Sequence, residues 1–154
     1  RALVPIYNED GTLALDRDEY PRPGTDLAAL AGLKPSFQGM GAHHAEGYPA
    51  SFEGMAMQKY PGVKAINYVH HAGNSSGVVD GASAVLVTSP EYAKAHGLKP
   101  RARIRAIATA GTEPLIMLTA PGPAAERVLQ KAGMSKHDID LFEINEAFAA
   151  VVLK

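Results

Sequence analysis

The spacing of apolar and polar positions changes along the chain, and these changes predict its elements. In the last third, "RIRAIATAG" (103–111) alternates as a β-strand does, and "DIDLFEI" (138–144) is a second predicted strand. Between them, Pro123 opens a helix with apolar residues at positions i, i+3, i+4 and i+7, and Gly133 lies just beyond its end. A further helix is predicted from Asn145 onward. Strands and helices that alternate at this spacing predict an α/β layered fold.

The middle of the chain continues this pattern. "ASAVLVT" (82–88) is small and β-branched throughout, which is typical of a buried strand. Ser89 then supplies a helix N-cap, Pro90 a first helical position and Gly97 a stop. The charged connector after this strand leads into the strands and helices of the last third, so we predict the tail of one α/β domain and the opening of a second.

The first third is less regular. "NEDG" predicts a turn between two short extended pieces, and Thr25 is a candidate N-cap for a helix that includes Leu27 and Leu30. From Gln38 to Lys59 the chain shows no sustained period, and we expect an ordered loop with one short helix around 52–58. The sequence starts at Arg1 without a methionine and ends at Lys154 in a predicted helix, so we expect an internal part of a longer chain.

Composition narrows the possible functions. The net charge is −1 with 20% charged residues, which does not favour nucleic acid or an anionic membrane as a partner. No apolar run approaches the roughly 18 residues of a membrane helix, and no secretory start is present, so the cytoplasm is the expected compartment. The absence of cysteine excludes a disulfide, a cysteine-ligated zinc site and a thiol nucleophile within these residues.

The polar pair Asn145-Glu146 interrupts the apolar run near the end. Ligands of open α/β sheets lie beyond the carboxyl ends of strands, where Asn145 is predicted to stand. Two interpretations remain open from the residues alone. Asn145 could be an ordinary helix N-cap, or its carboxamide could hold a water or a substrate oxygen as a donor that does not titrate.

"GNSSG" (73–77) is the second candidate site. Its small residues and two hydroxyls permit close approach of a ligand, although the same residues suit a plain turn before a strand. It is not a phosphate loop, since no Gly-Lys-Ser/Thr follows. The histidine pairs 43–44 and 70–71 predict no metal site, because adjacent side chains diverge and no third ligand stands at a familiar spacing.

Three stretches together carry a family resemblance: "LKPSF", "AGNSSGVVDGASAVLV" and "EINEAFAAVV". In this order and at these distances they resemble the thiolase family, in particular acetyl-CoA acetyltransferases and 3-ketoacyl-CoA thiolases. The resemblance implies a thiolase-like layered α-β-α fold with a loop domain that covers coenzyme A. It assigns residues 1–72 to the end of the loop domain and its return segment, 73–100 to the last strand and helix of the N-terminal domain, and 101–154 to the start of the C-terminal domain.

The same resemblance implies roles for individual residues. Asn145 matches the asparagine whose amide holds the catalytic water in an oxyanion hole for the acetyl-CoA enolate. The positions that match the acyl pocket are Met117, Ala147 and Phe148. Those that match the coenzyme A contacts are Arg22, Leu30, Phe37, Ala72 and Ser76.

The resemblance also implies what must come from elsewhere. The nucleophilic cysteine, the Gly-His-Pro histidine and a second cysteine of the family are absent from these residues. We therefore expect an acyl-CoA C-acyltransferase as part of a full-length chain, with these residues inactive alone. The coenzyme A thioester is the substrate, no separate cofactor is implied, and the expected assembly is a homodimer or homotetramer. The alternative is a non-catalytic thiolase-like module that binds coenzyme A or lipid.

Overall fold

The computed structural model describes residues 2–154. Two short strands open the chain, and six α-helices with two 3₁₀ turns follow. The strands are β1 (Ile6–Tyr7) and β2 (Leu13–Leu15). The helices are α1 (Leu27–Ala31), α2 (Gln38–Ala42), α3 (Phe52–Lys59), α4 (Pro90–Ala95), α5 (Pro121–Ala132) and α6 (Ala149–Leu153), and the 3₁₀ turns are Ala72–Asn74 and Lys136–Asp138.

The predicted turn between β1 and β2 is confirmed. The strands pair antiparallel, with an irregularity in the register between Ile6 and Tyr7. Asp10 closes the turn, because its carboxylate accepts hydrogen bonds from the backbone and the hydroxyl of Thr12 at 2.9 and 2.6 Å. Gly11 follows with φ +81°, a left-handed conformation that glycine adopts without a steric penalty.

The helix signals after residue 80 are confirmed with small shifts of position. The Ser89 hydroxyl accepts the N–H of Tyr92 at 3.1 Å, and Pro90 is the first residue of α4. Helix α5 begins at Pro121, two residues before the predicted start, and ends at Ala132. Gly133 follows as its C-cap in the left-handed conformation. These helices are set by local chemistry that the sequence displays.

Two helix predictions in the first half were wrong. The N-cap of α1 is Asp26, whose carboxylate accepts the N–H of Ala29 at 2.8 Å, whereas the Thr25 hydroxyl donates to the Arg22 carbonyl at 2.8 Å. Helix α2 was not predicted, because two glycines in five residues give it a poor intrinsic propensity. Tertiary contacts with α3 hold α2 in place. The predicted position of α3 is confirmed.

The three predicted strands at 82–88, 103–111 and 138–144 form no ladder within residues 2–154, where the sheet contains only β1 and β2. A strand is stable only when neighbours accept and donate its backbone hydrogen bonds. The 103–111 segment receives side-chain donors instead: Arg127 donates to the Thr109 carbonyl at 2.9 Å and Lys131 to the Ile107 carbonyl at 3.0 Å. These two hydrogen bonds connect helix α5 to this segment.

The described residues leave most of their apolar side chains open to solvent. Ala93 is the one buried hydrophobic residue among them, while Val85 and Leu141 are 84% and 90% exposed. The accessible surface is 13574 Å², compared with about 7,500 Å² for a compact monomer of this mass. No helix of the described residues is long and apolar enough to cross a bilayer.

A chain of these 154 residues alone should therefore unfold without a cooperative transition. Burial of only about 40% of the extended-chain surface cannot offset the conformational entropy of ordering the chain. Circular dichroism during heating should show a gradual loss of helix, and gel filtration should show self-association through the exposed apolar segments. A sharp transition of a monomer, with an enthalpy near about 0.7 kcal/mol per residue, would contradict this expectation.

Candidate functional site

The GNSSG loop is shaped by a reciprocal hydrogen-bonded cap. The Asn74 side chain accepts the N–H of His71 at 2.9 Å, and the imidazole Nδ1 of His71 accepts the N–H of Gly73 at 3.1 Å. The Asn74 amide also donates to the Val69 carbonyl at 2.9 Å, and the Ser75 hydroxyl donates to the His71 carbonyl at 2.8 Å. These four bonds fix the 3₁₀ turn at the start of the loop.

The loop is joined to the segment that follows Asn145. The Ser76 hydroxyl donates to the Glu146 carbonyl at 2.7 Å, and the Ser76 N–H donates to the Ala147 carbonyl at 3.0 Å. Ser75 and Phe148 form an isolated antiparallel bridge at the same place. The two candidate motifs of the sequence thus form one site, although about 70 residues separate them.

Aromatic packing supports this junction from one side. The Phe148 ring lies edge-on to the rings of His70 and Phe37, with centroids 4.8 and 5.8 Å away. His70 and Phe37 also meet at 6.4 Å, and the backbone N–H of Ser36 donates to the His70 carbonyl at 2.9 Å. All three rings are half-buried, so this aromatic cluster of Phe37, His70 and Phe148 supports the 145–148 segment.

Two glycines of the loop allow close packing that larger residues would prevent. A Cβ at Gly73 would clash with the methyl carbons of Leu30 and Leu33. A Cβ at Gly77 would clash with the phenol group of Tyr20, and the Arg22 guanidinium stands 6.0 Å from the centroid of that ring. Leu30 therefore touches the loop directly, and Arg22 reaches it through Tyr20.

A cavity of about 350 Å³ opens between the loop and the start of α6. It is lined by residues 73–77, Glu146 and Ala149. Backbone groups and hydroxyls form most of its wall, which suits a ligand with amides or hydroxyls of its own. Ala72 is exposed at the edge of the loop, and Ala147 is half-buried beneath it.

Asn145 precedes this junction and is exposed. The N-cap of α6 is Phe148, so Asn145 stands outside the helix and its interpretation as a helix cap is wrong. Phe148 has an extended backbone (φ −143°, ψ 149°) and pairs with Ser75, and the helix follows from Ala149. Asn145 thus directly precedes Glu146, which lines the cavity, and does not cap α6.

Met117 belongs neither to the aromatic cluster nor to the lining of the cavity. It lies in a turn over 113–118, is 60% exposed and has φ 56°. The pKa of Glu113, which starts the turn, is lowered because the Ile116 N–H and the Tyr60 hydroxyl donate to its carboxylate. The hydrogen bond from the Tyr60 hydroxyl to Glu113 also raises the pKa of Tyr60.

Sequence reasoning missed Tyr20 and His70 as parts of the site. His70 did carry a signal, since it adjoins the loop and must point away from His71 in an extended segment. Tyr20 lies 57 positions before Gly77, and only the folded chain shows that they touch. In the described part of the chain, no three histidine, aspartate or glutamate side chains are placed to hold a metal ion.

Comparisons with known proteins identify the family of this chain. Residues 98–154 match the family described as "Thiolase, C-terminal domain". The chain is 42% identical over 154 residues to the 3-oxoadipyl-CoA/3-oxo-5,6-dehydrosuberyl-CoA thiolase of Escherichia coli, a match that covers 98% of this chain and 32% of that protein. It is also 42% identical to an acetyl-CoA acetyltransferase of Paracoccus denitrificans, over 96% of this chain and 31% of that protein.

The fold comparison gives the same result. The crystal structure of the Bacillus anthracis acetyl-CoA acetyltransferase is similar with a TM-score of 0.67 at 35% identity, over 97% of this chain and 32% of that one. The predicted α/β fold class is thereby confirmed. The chain belongs to the thiolase family, and it spans about a third of the length of the relatives it matches.

Replacement of Gly77 by alanine tests the close packing of the loop. The added methyl group should displace the Tyr20 ring and loosen the Ser76–Ala147 hydrogen bond, so the Ser76 amide should exchange faster in hydrogen-exchange mass spectrometry. Gly81→Ala is the matched control, because a Cβ there meets no atom within 4 Å. Equal exchange in both variants would contradict the packing.

The Tyr60–Glu113 hydrogen bond makes a prediction about pH. Tyr60→Phe should raise the pKa of Glu113 back toward its ordinary value, while Tyr68→Phe, which removes a hydroxyl bonded to Glu53 instead, should leave it unchanged. Carboxyl NMR titration measures this shift. The lowered Glu113 pKa stabilises the folded state above the unfolded pKa of 4.5, and this stabilisation is lost as pH falls through the folded pKa. The raised Tyr60 pKa stabilises the folded state below the unfolded pKa of 10.0, and this stabilisation is lost as pH rises through the folded pKa.

Proposed function

We propose that this chain forms part of an acyl-CoA C-acyltransferase, a thiolase that exchanges acyl groups between coenzyme A thioesters by Claisen condensation or thiolysis. The observation that supports this most directly is the junction of Ser76 with Glu146 and Ala147. It brings a glycine- and serine-lined cavity next to the 145–148 segment, in which Asn145 is exposed. A thioester with an amide-bearing arm and a reacting carbonyl needs both features.

The arm would lie along the loop. Pantetheine carries two amides and an apolar linker, and the cavity wall offers small residues, backbone groups and the hydroxyl-bearing Ser75 and Ser76, with Ala72 at its edge. Leu30 and Phe37 support this wall from behind. Arg22, held near the loop by Tyr20, provides a positive charge toward the phosphates of coenzyme A.

Asn145 would act where charge develops. In thiolysis the bond between C2 and C3 of a 3-ketoacyl-CoA breaks, the acyl group passes to a cysteine sulfur, and acetyl-CoA leaves as an enolate that is protonated at C2. A carboxamide that orients a water toward the enolate oxygen stabilises this negative charge without itself losing a proton. Phe148, Ala147 and Met117 would bound the acyl chain.

The cysteines and the histidine of this reaction would come from other parts of the full-length enzyme, since these residues contain no cysteine. The 1–72, 73–100 and 101–154 segments would then contribute to the loop domain, the N-terminal domain and the C-terminal domain. We further propose a homodimer or homotetramer, with no cofactor beyond the coenzyme A thioester.

Asn145→Ala in the full-length protein should lower kcat for acetoacetyl-CoA thiolysis about 10²–10³-fold, the usual loss for one oxyanion donor. The KM for coenzyme A should change little, because the cavity wall is intact. Asn67→Ala, at an exposed asparagine outside the loop and the aromatic cluster, is the control. An unchanged kcat in the Asn145 variant would contradict the assigned role.

The 16.2 kDa chain alone provides a second test. Without a thiol nucleophile the covalent route is closed, so the purified chain should show no thiolysis. Turnover by a chain of this mass would contradict the proposal that the reaction needs cysteines from other parts of the enzyme. Binding of coenzyme A by a full-length protein that shows no turnover would support the non-catalytic module instead.

A further inference from the structure

The turn over 113–118 holds two consecutive residues in a conformation that ordinary side chains avoid. Met117 has φ 56° and Leu118 has φ 52°. Within residues 2–154 they are the non-glycine residues with positive φ. Such backbone conformations persist only where surrounding contacts hold them, and they cluster at sites where position matters for function.

Glu113 supplies those contacts from inside the turn. Its two carboxylate oxygens accept the N–H groups of Leu115 and Ile116 at 3.0 and 2.9 Å. Its backbone carbonyl accepts the N–H of Met117 at 3.2 Å. One residue thus binds three consecutive amides that lead into the strained pair.

Tyr60 fixes Glu113 from a distant part of the chain. Its hydroxyl donates to Oε2 of Glu113 at 2.8 Å, and both side chains are half-buried. Tyr60 is itself fixed at the end of α3, where its N–H donates to the Ala56 carbonyl at 3.0 Å. A hydrogen bond to a charged acceptor is stronger than one between neutral groups, so this contact can hold a strained turn.

We propose that Tyr60 and Glu113 are positioning residues that set the acyl-chain preference of the enzyme by holding Met117 in place. This inference rests on the proposed function, which assigns Met117 to the wall of the acyl pocket. The substrate class it concerns is the 3-ketoacyl-CoA thioesters of different chain length. Tyr60 and Glu113 act through Met117 and touch neither the thioester nor the reacting atoms.

The test compares two substrates in the full-length protein. For Glu113→Ala, the ratio of kcat/KM for 3-oxohexanoyl-CoA to that for acetoacetyl-CoA should rise about tenfold, because a released Met117 leaves room for a longer chain. Tyr60→Phe should raise the ratio in the same direction by a smaller factor. The KM for free coenzyme A should stay within about twofold of the wild-type value, since its cavity is elsewhere.

Tyr68→Phe is the matched control, because it removes a similar phenol-to-carboxylate hydrogen bond, of 2.6 Å to Glu53, without touching the turn. Its ratio should equal that of the wild type. If the ratio in the Glu113 and Tyr60 variants is unchanged, or if the KM for coenzyme A rises in parallel, the positioning role is overturned.

Hydrogen exchange of the Leu115, Ile116 and Met117 amides, measured without substrate, separates this inference from the proposed function. Exchange should be faster in Glu113→Ala than in the wild type, whatever the enzyme catalyses. A wild-type protein with no thiolysis would overturn the proposed function and the specificity role with it. Unchanged exchange in an active enzyme would overturn the hold of Glu113 on the turn, and the positioning role with it, while the proposed function would stand.

Discussion

Two hydrogen bonds from a single serine organise the site of this chain. Ser76 binds the carbonyls of Glu146 and Ala147 through its hydroxyl and its N–H, and so joins two segments that are far apart in sequence. Because both acceptors are backbone carbonyls, the bonds fix the path of the 145–148 segment. Helix α6 begins at Ala149, so Asn145 lies outside the helix and does not cap it.

Hydrogen bonds and aromatic contacts hold the site together. The segments at 82–88, 103–111 and 138–144 leave most of their large apolar side chains exposed, among them Val85, Ile107 and Leu141. The loop, in contrast, is held by its own cap, by the aromatic cluster and by close contacts at Gly73 and Gly77.

The two sides of the proposed substrate are handled by different physical means. In the proposed function, small residues and backbone groups of the cavity would receive the coenzyme A arm, where close approach is the requirement. The strained turn, held by the Tyr60–Glu113 hydrogen bond, would place Met117 against the acyl chain. The first arrangement would suit one common arm, whereas the second would discriminate between acyl chains of different length.

Local chemistry was readable from the sequence alone. The turn at Asp10–Gly11, the caps at Ser89 and Gly133, and the position of α3 follow from residues within a few positions of one another. The family could also be recognised, because "GNSSG" and "EINEAF" stand in a fixed order. These features depend on side chains and backbone that are neighbours in the chain.

Only the tertiary structure decided the rest. The bridge between Ser75 and Phe148 precedes α6, so the helix starts at Ala149 and Asn145 does not cap it. Helix α2 forms despite two glycines because it packs on α3. The contacts of Tyr20 with Gly77 and of Tyr60 with Glu113 join residues more than 50 positions apart. A sequence pattern shows which side chains are able to make such contacts, but not which of them meet. The partners are decided when the chain folds and closes these long loops. Loop closure costs entropy, and only the contacts of the folded chain together offset that cost.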